Sequence, residues 1–427
     1  MARGAVLLLL LLLAGGCAGE RVRFASFNAA LSREEPGAML AAAEAGDDLQ
    51  MQKVAEIIQR TRPDVLLLQE VDYDAAGRGV AAFQANYLSV PQNGAEPFHY
   101  PYVYIPEVNT GVHSGLDLDK NGRVDATPGS PDYAGDCFGW GLFPGQYGMA
   151  VLSRYPIDTA NVRTFRQFLW KDLPGAKLPV KEDGTPWYSD EELAVLRLSS
   201  KTHAMVPVDV EGKTVTLLIA HPTPPVFDGP EDRNGLRNAD EVKLLNSIII
   251  PNDGRSEWLI ADDGEPAFLE PRGEQIVLGR RLRPWEVNRM LMSSQRKRRS
   301  TEPFVVMGDL NRDPFDGERT SASSDFGIMI GWWSGSPAPA SQGGTSAAEQ
   351  QAGVNDNHLG DPAHDTADWD DTDGPGNLRV DYVLPSPELK LLASGVFWPT
   401  PDDPLFGLVE NNASSDHRLV WVDVAVP

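Results

Sequence analysis

Val305–Pro314 (VVMGDLNRDP) carries a short apolar run straight into an acid and an amide, Asp309 and Asn311. The run Phe304–Met307 has the length and composition of a buried strand. The same event recurs far away in the chain. Val65–Leu68 leads into Gln69-Glu70, Val215–Ala220 delivers His221, and Ser415-Asp416-His417 precedes the apolar run Leu419–Val424. Carboxylates, amides and imidazoles at strand ends can converge on one rim of a sheet. Hard oxygen donors beside a histidine suit a divalent cation and a phosphate ester. Singly, each element is unremarkable: a strand-end Glu70 is a surface carboxylate, and Asp309-Leu310-Asn311 before Asp313-Pro314 is an Asx turn. Their ordered combination is what argues for a site.

Around these strings the chain alternates strands and helices. Val22–Phe27 reads as a strand ending at Asn28, and Gln50–Arg60 as a helix with Met51, Val54, Ile57 and Ile58 on one face. Ala75–Tyr87 is a further candidate helix. Tyr100–Ile105, Gly148–Ser153, Thr202–Val208 and Val380–Leu384 read as strands, the last carrying Asp381. Paired strands with interspersed helices indicate an α+β sandwich of two packed sheets. Three segments look like insertions, near 107–145, 252–301 and 334–377. The last is poor in large apolar residues and is expected to be loop, its His358–Asp373 part standing close before Asp381.

At 427 residues the chain can build a sizeable core, and 41% hydrophobic with 23% charged residues are globular values. Residues 1–19 have the pattern of an export signal: Arg3, the apolar run Val6–Leu13, then small residues from Ala14 to Gly19. Plain export, giving a secreted or periplasmic protein, and lipid attachment at Cys17, giving an outer-membrane-attached lipoprotein, are both open. The remaining 20–427 read as one catalytic domain. With only Cys17 and Cys137, no intramolecular disulfide is expected in the processed chain. The net charge of -24 repels polyanions unless metal or a local basic patch offsets it. Arg280–Arg299 is the candidate patch, with a solvated helix face as the plainer account.

The ordered set resembles the endonuclease/exonuclease/phosphatase superfamily, the group of deoxyribonuclease I, abasic-site endonucleases, sphingomyelinases and inositol-polyphosphate phosphatases. The matching strings are Phe24–Asn28 (FASFN), Leu66–Val71 (LLLQEV), Tyr147–Pro156 (YGMAVLSRYP), Leu217–Pro222 (LLIAHP), Val305–Pro314 (VVMGDLNRDP), Arg379–Pro385 (RVDYVLP) and Ser414–Leu419 (SSDHRL). The resemblance implies a deoxyribonuclease I-like α/β/β/α sandwich of four layers with two mixed sheets. It implies that Glu70 coordinates Mg²⁺ or Mn²⁺, with Asn28 and Asp416 close to the ion. His417 would be general base or charge stabiliser, with Asp381 fixing its tautomer. Asp309 and Asn311 would position the water and phosphoryl oxygens, and His221 would bind phosphate. Arg233 and Arg237, shortly after His221, are candidates for touching substrate phosphate.

The expected activity is metal-assisted hydrolysis of a phosphodiester, with nucleic acid an available extracellular substrate. The alternatives are a phosphatase or phospholipase C-type enzyme on inositol phosphates or lipid head groups, and a non-catalytic binding protein on the same scaffold. A monomer without a protein partner is expected. A second signal stands apart. Asp117-Leu118-Asp119-Lys120-Asn121-Gly122-Arg123-Val124-Asp125 matches the first nine positions of an EF-hand-type loop. Asp117, Asp119, Asn121 and Asp125 occupy its ligand positions, but Pro128 stands where the usual Glu would. Structural Ca²⁺ completed by Asp132 or Asp136 and a solvated Asp/Gly turn are the two readings.

Overall fold

The computed structural model describes residues 19–124, 126–249, 258–269, 271–272, 299–300, 303–317 and 338–427. The elements in chain order are β1 (Glu20–Asn28), α1 (Ala38–Ala45), α2 (Leu49–Thr61), β2 (Val65–Val71), α3 (Arg78–Phe83), β3 (Tyr102–Tyr104), α4 (Pro131–Gly135), β4 (Gly148–Ser153), β5 (Arg163–Thr164) and α5 (Asp190–Leu193). They continue with β6 (His203–Val210), β7 (Lys213–Ala220), α6 (Arg233–Ile249), β8 (Pro271–Arg272), β9 (Arg299–Ser300), β10 (Phe304–Asp309), α7 (Gln342–Gln351), β11 (Asp381–Pro385), β12 (Lys390–Val396) and β13 (Val420–Val426). Among the described residues no helix is long and apolar enough to cross a membrane.

Two mixed sheets form an α+β sandwich. One runs β12-β13-β1-β2-β4-β3, the other β11-β10-β7-β6-β5. Pair β1–β2 is parallel, and so is β7–β10; the flanking strands β13 and β11 run antiparallel to them. Strand alternation divides each apolar run between two layers. In β7, Val215, Leu217 and Ile219 join the inter-sheet core with Phe24, Leu66, Val305 and Met307. Leu218 and Ala220 face the other way, under Val242, Leu245 and Ile248 of α6. The outer face of the first sheet is covered by α1–α3, whose Met39, Met51, Val54, Ile58 and Phe83 are buried in the same core. Layers of helix, sheet, sheet and helix result.

Local sequence accounts for several boundaries. Asp48 caps α2, its side chain accepting the Met51 N–H, and Arg62 ends it in the left-handed region at φ 50°. The helix expected over Ala75–Tyr87 is shorter: α3 ends at Phe83 and a π-helical turn carries the chain to Leu88. The expectation that 334–377 is loop fails at α7. This helix lacks apolar periodicity. It is held instead by Ser341, which accepts the Gly344 N–H, and by close backbone packing: a Cβ at Gly343 would lie 2.0 Å from the Trp398 carbonyl oxygen. Arg280–Arg298 and the greater part of 252–301 lie outside the described residues, as do residues 1–18 and the calcium-ligand candidate Asp125.

Candidate functional site

The strand directions bring the polar ends together. Parallel β1 and β2 release Asn28 and carry Glu70 at one end, where antiparallel β13 is entered through His417. Parallel β7 and β10 release His221 and Asp309 at one end, where antiparallel β11 begins with Asp381. Asp309 and Asp381 are register partners. The hydrogen bonds join the two sheets' ends into one rim. Asn28 Nδ2 donates to Glu70 Oε1 on its own sheet and to Asp309 Oδ2 on the other, both at 3.1 Å.

Special backbone aims several of these groups. Register slips between Gln69 and Val71 where β2 pairs β4, a bulge that holds Glu70 at φ 56°. A bulge turns one side chain off the sheet, and a non-glycine residue in the left-handed region is a strained position kept by its surroundings. Asn311 is similar at φ 51°; its N–H donates to Asp309 Oδ1 at 2.8 Å and its amide to the Pro222 carbonyl at 3.1 Å.

His417 is the hub. Its Nδ1 lies 2.8 Å from Asp381 Oδ2, which also accepts the Thr366 hydroxyl at 2.9 Å. Its Nε2 lies 3.7 Å from Asp309 Oδ2, and His221 Nε2 lies 3.5 Å from the same oxygen. Trp369 packs edge-on to the imidazole at 5.4 Å, while its indole N–H donates to Asp416 Oδ2 at 2.9 Å. Ser415 Oγ donates to the Asn28 carbonyl at 2.7 Å and accepts the His417 N–H at 3.0 Å, tying the histidine loop to β1.

The electrostatics separate the two histidines. Burial opposes protonation of His417, but the carboxylates of Asp381 and Asp309 outweigh it and hold the imidazolium well above its ordinary range. Burial, then the neighbouring Lys201 and His417 charges, hold His221 well below that range, so it is neutral. Burial pushes Asp309 up to about 6, with Asp381 adding to the rise against His417. Burial also raises Glu70, against His417 and Asn28. Paired groups pushed to opposite protonation states are the usual mark of acid–base chemistry.

Among the described residues the cluster contains the carboxylates of Glu70, Asp309, Asp381 and Asp416, with Lys201, His417 and Arg418 as the neighbouring cations. Asp309, Asp381 and His417 could converge on an ion. The short hydrogen bond between His417 and Asp381 reads instead as a proton-holding pair. Glu70, with Asp416 near it and the Asn28 amide hydrogen-bonded to it, is the better-placed carboxylate for a divalent cation. The excess of carboxylate over cation fits such an ion.

Sequence reading passed over Lys201, Thr366 and Trp369. Lys201 is only 6% exposed, lowered by burial against the pull of Glu70, Glu241 and Asp309. A polar run as continuous as Ser199–His203 and wholly buried is the signal that could have found it. Arg237 corrects an expectation. Its guanidinium donates from Nε and Nη2 to the carbonyls of Leu198, Phe138 and Arg197, so these groups join loops instead of facing a substrate. Arg233 is engaged by Glu231. Helix α6 extends this clamp: Glu241 accepts the N–H groups of Ser200 and Thr223, and Asn238 donates to the Leu310 carbonyl. It thereby braces the loops after both β7 and β10.

A model of the endonuclease/exonuclease/phosphatase family matches residues 25–417. No curated protein sequence matches the chain. Among solved structures, an endonuclease/exonuclease/phosphatase from Beutenbergia cavernae DSM 12333 is 15% identical, with 95% of this chain and 72% of that one covered and a TM-score of 0.41. A mannosyl-6-phosphatase of Bacteroides thetaiotaomicron VPI-5482 is 11% identical over 95% and 100%, TM-score 0.40. Sphingomyelinase C from Streptomyces griseocarneus is 13% identical over 95% and 99%, TM-score 0.39.

Proposed function

The chain belongs to the endonuclease/exonuclease/phosphatase family, and on that basis we propose that it is a divalent-metal-dependent phosphodiesterase. The observation that carries this reading is the His417 arrangement: Nδ1 held by Asp381, Nε2 turned to Asp309 and the centre of the rim.

Glu70, Asn28 and Asp416 would hold the metal. A bound Mg²⁺ or Mn²⁺ would supply charge neutralisation at the phosphoryl oxygens. The chain's own groups do the rest. Asp309, near neutrality in its titration, orients the attacking water and takes its proton. Protonated His417 stabilises charge developing on the phosphate and donates from Nε2 to the leaving oxygen. Asp381 keeps that proton donor aimed and stabilises it throughout. Neutral His221 offers a hydrogen bond to a phosphoryl oxygen, and Asn311 braces Asp309 from behind.

A second reading has its own support. Beside His417 a groove is lined by Asp368, Trp369, Asp370, Asp371, Asp416 and Arg418. So acidic a wall, on a chain of net charge -24, suits a small phosphoester or a lipid head group better than a long polyanion. Purified protein offered plasmid DNA, inositol phosphates and sphingomyelin with Mg²⁺ separates the readings. DNA cleavage supports the nuclease; turnover confined to the small or lipid substrates moves the assignment to a phosphatase or phospholipase C-type enzyme. We also infer export through residues 1–19. Fractionation of cells expressing the natural chain and Cys17→Ala tests it: release of only the variant marks a lipid anchor, and retention of both in the cytoplasm contradicts export.

A further inference from the structure

The loop Asp117–Val124 lies in the 107–145 segment, and nothing in the phosphoester site uses it. Its backbone already has the turn that its sequence promises. Gly122, at the sixth position, sits at φ +82°. The Gly122 N–H donates to Asp117 Oδ2 at 3.0 Å, and the Asn121 N–H to Asp119 Oδ1 at 3.0 Å. Turn geometry alone would not make a site. The further observation comes from Asp136, just beyond α4 and fully buried. One of its oxygens accepts the Leu118 N–H at 2.8 Å. The other, Oδ2, has no hydrogen-bond partner, and the imidazole His113 Nε2 stays 4.0 Å away. Asp117 Oδ1 is likewise buried and unpartnered.

Asp117, Asp119 and Asp136 each offer a carboxylate oxygen within 4.8 Å of the others. Such a group of like charges, one of them out of water, needs a counter-charge. The loop's own cations are taken: Lys120 pairs with Glu192, and Arg123 with Asp132. Asp132 is thereby turned to Arg123, which leaves Asp136 as the residue completing the set. The backbone also makes room, since a Cβ at Gly135 would lie 2.1 Å from Asp119 Oδ2.

We propose that Asp117, Asp119, Asn121 and Asp136 form a Ca²⁺ site separate from the phosphoester centre. Oxygen-only donors in a loop closed by a residue just past the following helix suit Ca²⁺, which tolerates irregular, many-membered shells, over Mg²⁺, which demands an octahedron. Asp136 does the work that the glutamate at loop position twelve does in an EF-hand. The ion would pin the 107–145 segment, whose Asn109 N–H donates to the Lys201 carbonyl at 3.0 Å at the edge of the reaction centre.

The test is thermal melting and calorimetric titration of the full chain, stripped with EDTA and held in saturating Mg²⁺ to occupy the phosphoester centre. Added Ca²⁺ is expected to raise Tm, with half-saturation at or below about 1 mM. Asp119→Asn, at a partly exposed position, is expected to weaken binding at least about tenfold, and Asp136→Asn to do the same. Asp119→Asn keeps the test open should the buried Asp136 variant fold poorly. No Ca²⁺-dependent rise in Tm, or a rise with an unchanged midpoint in Asp119→Asn, would overturn the proposal.

Discussion

At the scale of single residues, the reactive arrangement depends on a proton held between Asp381 and His417. The 2.8 Å contact at Nδ1 fixes which imidazole nitrogen faces the rim. His417→Ala removes the donor and should lower kcat by roughly 10²–10⁴-fold. Asp381→Asn keeps the shape but withdraws the charge that raises His417. Its activity should therefore fall at high pH first, where the less basic imidazole has already lost its proton. A pH–rate profile of wild type and variant checks this; a variant whose alkaline limb does not move would show that Asp381 only fills space. These residues were legible because each belongs to a local string. Lys201 and Thr366 were not, because their importance arises from burial and from partners distant in sequence.

Among the elements, the central strands were legible, since apolar runs bounded by Gly, Pro and Asp declare themselves locally; the edge strands β5 and β12, with fewer buried apolar residues, were not expected. Helix α7 was not, because a cap and glycine packing hold it without an apolar stripe. The junction of β7 and β10 is where element geometry matters most to the site. Gly308 packs so tightly that a Cβ there would lie 1.9 Å from the Ala220 carbonyl oxygen. His221 and Asp309 each follow these residues by one position. Gly308→Ala should push the two strands apart, at a cost of about 1–3 kcal/mol. It should also lower kcat, because both side chains move. Chemical denaturation together with steady-state kinetics measures the two effects; full activity in the variant would mean that the strand ends adjust independently. Arg237 teaches the complementary lesson. Its nearness in sequence to His221 suggested a substrate contact, but three backbone carbonyls claim its guanidinium.

Across the whole molecule, stability and charge are coupled through buried titratable groups. His203 accepts no charge readily: burial lowers it from 6.5 to about 4, and its Nδ1 lies 2.7 Å from the Ser199 hydroxyl. Between those two values the unfolded chain binds a proton that the folded chain refuses. Stability should therefore be lost as pH falls from 6.5 towards 4, with this one residue contributing a slope of up to about 1.4 kcal/mol per pH unit. His203→Asn should flatten that slope relative to wild type in denaturant midpoints taken across the window; parallel curves would exclude His203 as the source. The two-sheet architecture was visible in the sequence because its strands alternate and its reactive residues recur in order. How the sheet ends meet was not, because that depends on strand direction and on contacts such as the one joining Asn28 to Asp309 across the sandwich.

The decisive experiment is hydrolysis of bis-p-nitrophenyl phosphate by the purified full chain, run with Mg²⁺ and with EDTA, for wild type and His417→Ala. Turnover that requires the metal and collapses in the variant is the expected result. Turnover indifferent to EDTA, or retained in full by His417→Ala, would contradict the assignment of this rim as a metal-dependent phosphodiesterase centre.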